Sequence, residues 1–108
     1  MNRLEPEFVH KDQRRVLTQL LTEDIKQINV YEANYGAELG NHFHMETIEY
    51  FYIIRGSLVY NNNTIIKRGD LFYPDLMESH TLKVISDKAT FMTFLTKAYN
   101  KEEPDIHV

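Results

Sequence analysis

The sequence contains no cysteine. Disulfides, redox-active thiols and thiolate metal sites are therefore excluded. Any metal ion that the chain binds tightly must be held by nitrogen and oxygen atoms. The five histidines and the carboxylates are consequently the residues on which a metal site depends.

A strongly basic charge is also absent. The chain has 12 lysines and arginines against 16 aspartates and glutamates, which gives a net charge of −4 with no basic block. It therefore lacks the electrostatic character needed to hold nucleic acid or an anionic membrane. Small molecules and other protein chains are the expected partners.

Long apolar runs are missing as well. No segment approaches the roughly 18 consecutive apolar residues that a bilayer-spanning helix needs. The N-terminal stretch is charged and lacks the apolar core of a signal peptide. These features favour a cytoplasmic location, and the length of 108 residues suits a single domain.

The apolar residues that are present form about eight short runs of β-branched and aromatic residues, separated by turn formers. This pattern predicts an all-β sandwich or barrel. We expect the barrel to span residues 14–97, with an N-terminal arm at 1–13 and a polar C-terminal tail at 98–108, each ordered only where it packs on something. The triplet at 61–63 predicts a hairpin turn, because asparagine tolerates positive φ.

Two histidines, His42 and His44, stand one residue apart before a run of strand-forming residues. Residues i and i+2 of a strand share a face, so the two imidazoles can bind one ligand. Glu49 would face the other way on a continuous strand, so a turn at 45–47 is predicted to bring it back. His80, which opens a later strand, offers a fourth ligand.

These four residues predict a site for one divalent metal ion with coordination positions left open for substrate or water. Zn, Fe, Mn and Ni are all compatible with three imidazoles and a carboxylate. A single histidine beside an apolar face is more often a hydrogen-bonded structural residue. The combination of four potential ligands favours the metal site.

The spacing of these residues also resembles the first motif of the cupins, small β-barrels that carry a metal on three histidines and one glutamate. The matching positions are Gly36, His42, His44, Glu49 and Gly56. The resemblance covers about residues 14–96 and implies an all-β fold, the cupin-type double-stranded β-helix or jelly-roll barrel. It also implies that the two motif histidines and the glutamate are metal ligands.

A second cupin motif is matched less completely, by Gly69-Asp70, Pro74 and His80. The resemblance implies that this histidine is the remaining ligand. Cupins usually have a glycine two residues after the proline, where this chain has Leu76, and the histidine follows one residue later than usual. The loop at 75–79 is therefore expected to depart from the common shape.

A narrower resemblance links the stretches at 12–21 and 28–56 to cupins of nucleotide-sugar metabolism, such as the cupin half of capsular-polysaccharide reductase/epimerases and the sugar 3,4-ketoisomerases. Arg15 replaces the glycine of their Asp-x-Arg-Gly turn. The resemblance implies a metal-dependent sugar isomerase or epimerase. The alternatives are a non-catalytic module that binds or senses a small ligand, and an Fe-dependent oxygenase.

Proton transfer in any such enzyme needs a further residue beside the metal. Four tyrosines could supply it, namely Tyr31, Tyr52, Tyr60 and Tyr73. Tyr52 and Tyr73 are our candidates for a catalytic role. The sequence does not show which tyrosine faces the pocket.

The predicted strand at 47–54 is apolar on both faces, whereas a free outer face would normally be polar. The residues expected to point away from the metal site are Ile48, Tyr50, Tyr52 and Ile54. A second subunit would cover them, which predicts a homodimer. The alternative is that the N-terminal arm, with Phe8 and Val9, lies across this face.

Overall fold

The computed structural model describes residues 1–108, and strands are its only regular secondary structure. In chain order they are β1 Asn2–Leu4, β2 Phe8–Lys11, β3 Val16–Gln19, β4 Gln27–Asn34, β5 Glu38–His42, β6 Glu49–Arg55, β7 Ser57–Tyr60, β8 Thr64–Lys67, β9 Leu71–Tyr73, β10 His80–Val84 and β11 Lys88–Leu95. The all-β prediction is confirmed. The fold contains no apolar helix of membrane-spanning length.

Two antiparallel sheets form the body of the molecule. One has the strand order β1-β9-β6-β11-β4 and the other β5-β10-β7-β8, while β2 and β3 form a separate hairpin. Buried side chains from both sheets make one core, comprising Phe51, Ile53, Leu58, Tyr60, Ile66, Phe72, Leu82, Val84, Ala89 and Phe91. The two sheets are therefore the walls of a single jelly-roll barrel.

Alternation along β6 follows the predicted pattern. Glu49, Phe51 and Ile53 are buried, whereas Tyr52 is half-buried and Ile54 exposed. Tyr50, which was also predicted to lie on the outer face, is buried, because it packs on Tyr73. Successive side chains of a strand point to opposite faces, so β6 directs its glutamate into the barrel together with the core residues.

The turns use the residues expected of them. Asn61 and Asn62 have φ values of 49° and 61° and connect β7 to β8, so the predicted hairpin turn is confirmed. Gly36 and Gly56 likewise have positive φ, at 83° and 88°. Met77, in the loop that departs from the cupin pattern, has a φ of 66°, an uncommon conformation for a residue with a side chain.

Both terminal segments pack on the barrel. β1 pairs with β9 and extends the edge of the larger sheet. In the tail, His107 forms an antiparallel bridge with Phe43. The division of the chain into an arm at 1–13, a barrel at 14–97 and a tail at 98–108 stays a prediction.

The β2–β3 hairpin does not bury the outer face of β6. All four residues of β2, including Phe8 and Val9, are exposed, and β2 pairs with β3 alone. The exposed apolar residues Ile28 and Val30 of β4 lie on that same outer surface, because Val30 is paired with Met92 and Met92 with Tyr52.

Candidate metal centre

The three predicted histidines meet at one end of the smaller sheet. β5 ends at His42, and β10 begins at His80 directly opposite it. The ring centroids of these two histidines lie 4.6 Å apart, and the ring of His44 is 5.1 Å from His42 and 5.5 Å from His80. Antiparallel pairing of two strands that are distant in sequence therefore brings the third imidazole to the first two.

Glu49 reaches the same point from the other sheet. The chain bends at Met45 and Glu46 before β6 begins, as the spacing predicted. The Oε1 atom of Glu49 lies 3.1 Å from Nε2 of His44 and 3.6 Å from Nε2 of His80. The structure thus brings together all four predicted residues.

The geometry of the group fits a metal ion. One ligand atom from each of the four residues lies within 4.8 Å of all the others. Ligands bonded to one ion at about 2.0–2.2 Å are roughly 3–4 Å apart, so small side-chain movements suffice to bind it. Three of the residues are buried and His42 is half-buried, which leaves one side of the cluster accessible to solvent.

Electrostatic effects keep the carboxylate ionised. Burial on its own raises the pKa of Glu49, but hydrogen bonds and charge interactions with His44 and His80 outweigh it and lower this pKa to about 2. Burial, together with repulsion from the other two histidines, lowers the pKa of His42. For His44, burial opposes protonation, yet the contacts with Glu49 and Asp105 produce a raised pKa.

A cavity of about 130 Å³ adjoins the cluster. Its walls are formed by Tyr31, Leu39, Gly40, His42, Glu49, Phe51, His80, Leu82 and Phe91. Most of this lining is apolar, so a ligand in the cavity meets polar residues mainly at the histidines, the glutamate and Tyr31. Such a combination of an apolar wall and a few convergent polar groups is typical of small-molecule sites.

Tyr31 is the tyrosine in the cavity wall. Its ring stacks on Phe91 at a centroid distance of 4.7 Å. Burial and, to a lesser extent, the negative charge of Glu49 raise the pKa of Tyr31. Apolar alternation in β4 would direct Ile28 and Val30 inward, and it is the pairing of β4 with β11, opposite buried Phe91, that puts Tyr31 on the inner face beside the cluster.

The other tyrosines lie elsewhere. Tyr52 alternates with buried Phe51 and Ile53 and is directed away from the cavity. Tyr73 packs on Tyr50, with ring centroids 5.1 Å apart, and the hydroxyl of Tyr60 donates to Glu78. None of these three lines the cavity, and the catalytic roles predicted for Tyr52 and Tyr73 have no support from their positions.

A residue that sequence reasoning missed is Asp105. Its backbone carbonyl lies 2.6 Å from Nδ1 of His44. The two residues are 61 positions apart, and nothing in the polar tail indicates this contact.

No protein-family model matches the sequence, and no curated protein matches it. Several solved structures, however, are similar to it in fold. The capsular polysaccharide assembling protein CapF from Staphylococcus aureus shares 20% identity and a TM-score of 0.67, with 93% of this chain and 33% of that chain covered. The rmlC epimerase of Mycobacterium tuberculosis shares 18% identity and a TM-score of 0.75, covering 94% of this chain and 65% of that one.

A third similar structure is the dTDP-6-deoxy-D-glucose-3,5-epimerase RmlC from Legionella pneumophila, determined in complex with dTDP-4-keto-L-rhamnose. It shares 16% identity and a TM-score of 0.72, with 92% of this chain and 68% of that chain covered. This chain thus spans about a third of the length of CapF and about two thirds of the epimerases. The predicted cupin-type barrel is confirmed, and so is the likeness to epimerase-type cupins at the level of the fold.

Proposed function

We propose that the chain binds one divalent metal ion through His42, His44, Glu49 and His80 and uses it in the isomerisation or epimerisation of a carbonyl-bearing sugar. The observation that supports the proposal most directly is the convergence of four ligand atoms on one point in the wall of a cavity. Three imidazoles and a carboxylate suit Zn, Fe, Mn or Ni.

A bound ion would supply Lewis-acid polarisation of a substrate carbonyl. The chain's own residues would enclose the site and supply a proton donor. Phe51, Leu82 and Phe91 shield the site from water. The raised pKa keeps Tyr31 a neutral phenol, so its hydroxyl can donate a hydrogen bond to a substrate oxygen and pass its proton to that oxygen once negative charge has developed there.

The size of the cavity bears on the substrate. A volume of about 130 Å³ is well below the roughly 300–1,000 Å³ of sites that enclose drug-sized ligands. The cavity therefore suits the reacting part of a small molecule, and a nucleotide attached to it would lie outside. The sugar class is supported by the names of the similar structures, which include a capsular polysaccharide assembling protein and sugar epimerases.

The proposal includes a homodimer. The outer face of the larger sheet carries a row of apolar side chains, Val30, Met92 and Tyr52, which the register places side by side. Apolar surface of this kind on an ordered sheet is typical of a protein interface. A second copy of the chain is the proposed cover.

The metal site is tested by elemental analysis of protein purified without chelator or added metal. We expect close to one divalent ion per chain. Replacing His42, His44, Glu49 or His80 by alanine should lower both the metal content and the melting temperature of the metal-loaded protein, because binding energy is linked to folding. His10→Ala, on the exposed hairpin, is the matched control and should change neither. Full metal occupancy in His42→Ala would contradict the assignment.

The reaction is tested with metal-loaded protein and a panel of nucleotide-linked keto-sugars in D₂O. Incorporation of deuterium next to the carbonyl without oxygen consumption supports the isomerase. Tyr31→Phe should slow it by at least about tenfold, since general acid catalysis typically contributes 10²–10⁴-fold, whereas Tyr52→Phe should have little effect. Oxygen uptake with the Fe form would favour an oxygenase, and saturable binding without turnover a sensing module.

A further inference from the structure

The C-terminal tail binds the turn that separates two of the proposed metal ligands. Oδ1 of Asp105 accepts a hydrogen bond from the backbone N–H of Met45 at 2.9 Å. Oδ2 accepts from the N–H groups of Glu46 and Thr47, each at 2.8 Å. One carboxylate therefore satisfies three consecutive amides between His44 and Glu49, the arrangement of an anion-binding backbone nest.

The backbone of the same residue holds the ring of His44. The carbonyl oxygen of Asp105 lies 2.6 Å from Nδ1 of that histidine. A carbonyl can only accept, so Nδ1 carries a proton. Nε2 is the atom presented to the cluster, where it lies 3.1 Å from Oε1 of Glu49 and, without a metal, donates a hydrogen bond to that carboxylate.

The position of Asp105 is itself fixed on its other side. His107 exchanges two backbone hydrogen bonds with Phe43, at 2.9 and 3.0 Å, and its Nε2 lies 2.9 Å from Oδ1 of Asp105. The rings of Phe43 and His107 stack with centroids 5.4 Å apart. Residues 105–107 thus form a strap along residues 43–47, with contacts to both the main chain and the side chains.

We infer that Asp105 is a positioning residue of the metal centre. Its carboxylate sets the turn between His44 and Glu49, and its carbonyl sets the tautomer and orientation of the His44 ring. Hydrogen-bond partners of metal-binding histidines commonly act in this way, and their loss typically lowers metal affinity by about 10–100-fold. The inference rests on the proposed metal site, but the Nδ1 proton that it requires is present with or without a metal.

The variant Asp105→Ala tests the inference, with Glu102→Ala as a control that removes a carboxylate from the same tail. The side chain of Glu102 is exposed and makes no hydrogen bond. Competition with a chromophoric chelator measures the affinity for Zn²⁺. We expect Asp105→Ala to bind it at least tenfold more weakly and Glu102→Ala to match wild type. Asp105→Asn should fall between, because an amide oxygen can still accept from some of the three N–H groups.

A second measurement, made by NMR on metal-free protein, follows the Nδ1 proton of His44. In wild type this proton should give a separate signal protected from solvent exchange by its hydrogen bond. Asp105→Ala keeps the backbone carbonyl but loses the side-chain hydrogen bonds that hold it against His44, so it should lose that protection.

The two measurements separate the possible failures. If wild type shows the protected proton but binds no metal, the proposed function fails and the positioning contact stands. If Asp105→Ala only melts at a lower temperature, with unchanged Zn²⁺ affinity and an unchanged Nδ1 signal, the residue is merely structural and the inference is overturned.

Discussion

Single residues decide how closely the two strands of the metal centre approach each other, and Gly40 is the clearest case. It has a φ of 90°, and a Cβ atom placed on it would lie 2.6 Å from the carbonyl oxygen of His80. Real Cβ atoms do not come so close to a backbone atom, so the backbone of His80 could not keep its place. Gly36 has a similar φ of 83° but no atom within 4 Å of the corresponding Cβ position.

Comparing alanine variants of Gly40 and Gly36 separates the effect of backbone conformation on stability from the effect of steric contact. Both Gly40→Ala and Gly36→Ala force a side chain into the left-handed region, which costs of order 1 kcal/mol. Gly40→Ala should lose at least about 1 kcal/mol more in the free energy of unfolding, because strand β10 must move. It should also bind Zn²⁺ more weakly, whereas Gly36→Ala should bind it normally. Equal effects of the two variants on stability and affinity would show that β5 and β10 are not so closely opposed.

At the scale of elements, the side chain of Asn61 adds to the backbone bonds that join the β7–β8 hairpin to the beginning of β10. Oδ1 of Asn61 accepts a hydrogen bond from the N–H of Thr81 at 2.8 Å, and its Nδ2 donates to the carbonyl of Ser79 at 3.1 Å. These bonds flank His80 on both sides in sequence. The turn therefore supports the strand end that presents the fourth ligand.

We predict that Asn61→Gly lowers the free energy of unfolding by about 1–3 kcal/mol, since it keeps the positive φ but removes the side-chain hydrogen bonds to Ser79 and Thr81. Asn62→Gly is the control. That residue also has positive φ, at 61°, and its side chain makes no hydrogen bond, so its replacement should change stability by less than about 0.5 kcal/mol. Chemical denaturation of the metal-free proteins measures both values. If Asn61→Gly and Asn62→Gly unfold at the same denaturant concentration, the side chain of Asn61 does not stabilise the beginning of β10.

At the scale of the whole molecule, the two sheets differ in what their outer faces present. The larger sheet carries Val30 on its outer face, 63% exposed, in register with Met92 and Tyr52. The smaller sheet also has an exposed apolar residue, Ile65, at 60%, but it lies on the edge strand β8, and its row continues through Val59 to the charged Lys83. The longer apolar row therefore belongs to the larger sheet.

The proposed homodimer predicts different effects of a lysine at these two positions. Light scattering at tens of micromolar should give twice the mass of one chain for wild type and for Ile65→Lys. Val30→Lys should shift the mass towards that of one chain, because a buried unpaired charge strongly disfavours association. A well-folded wild-type monomer at this concentration would rule out the dimer.

The features that the sequence by itself determined are those with a local physical cause. Alternation in β6 depends on the period of a strand, and the turn at Asn61 and Asn62 depends on their tolerance of positive φ. The spacing of His42, His44 and Glu49 similarly depends on one strand and one bend. Most of the barrel and the grouping of His42, His44 and Glu49 could therefore be predicted from the order of the amino acids. His80 is added as a candidate by the resemblance to the second cupin motif, and it joins the other three through the pairing of β10 with β5.

Only the tertiary structure decided the surroundings of that cluster. Tyr31 becomes the tyrosine of the cavity through the pairing of β4 with β11, while Tyr52 faces outward. Asp105 reaches His44 across 61 residues of chain, and the tail that carries it has no periodic pattern from which a contact could be inferred. Such contacts depend on which elements meet after folding, and packing between distant segments leaves no regular spacing in the sequence.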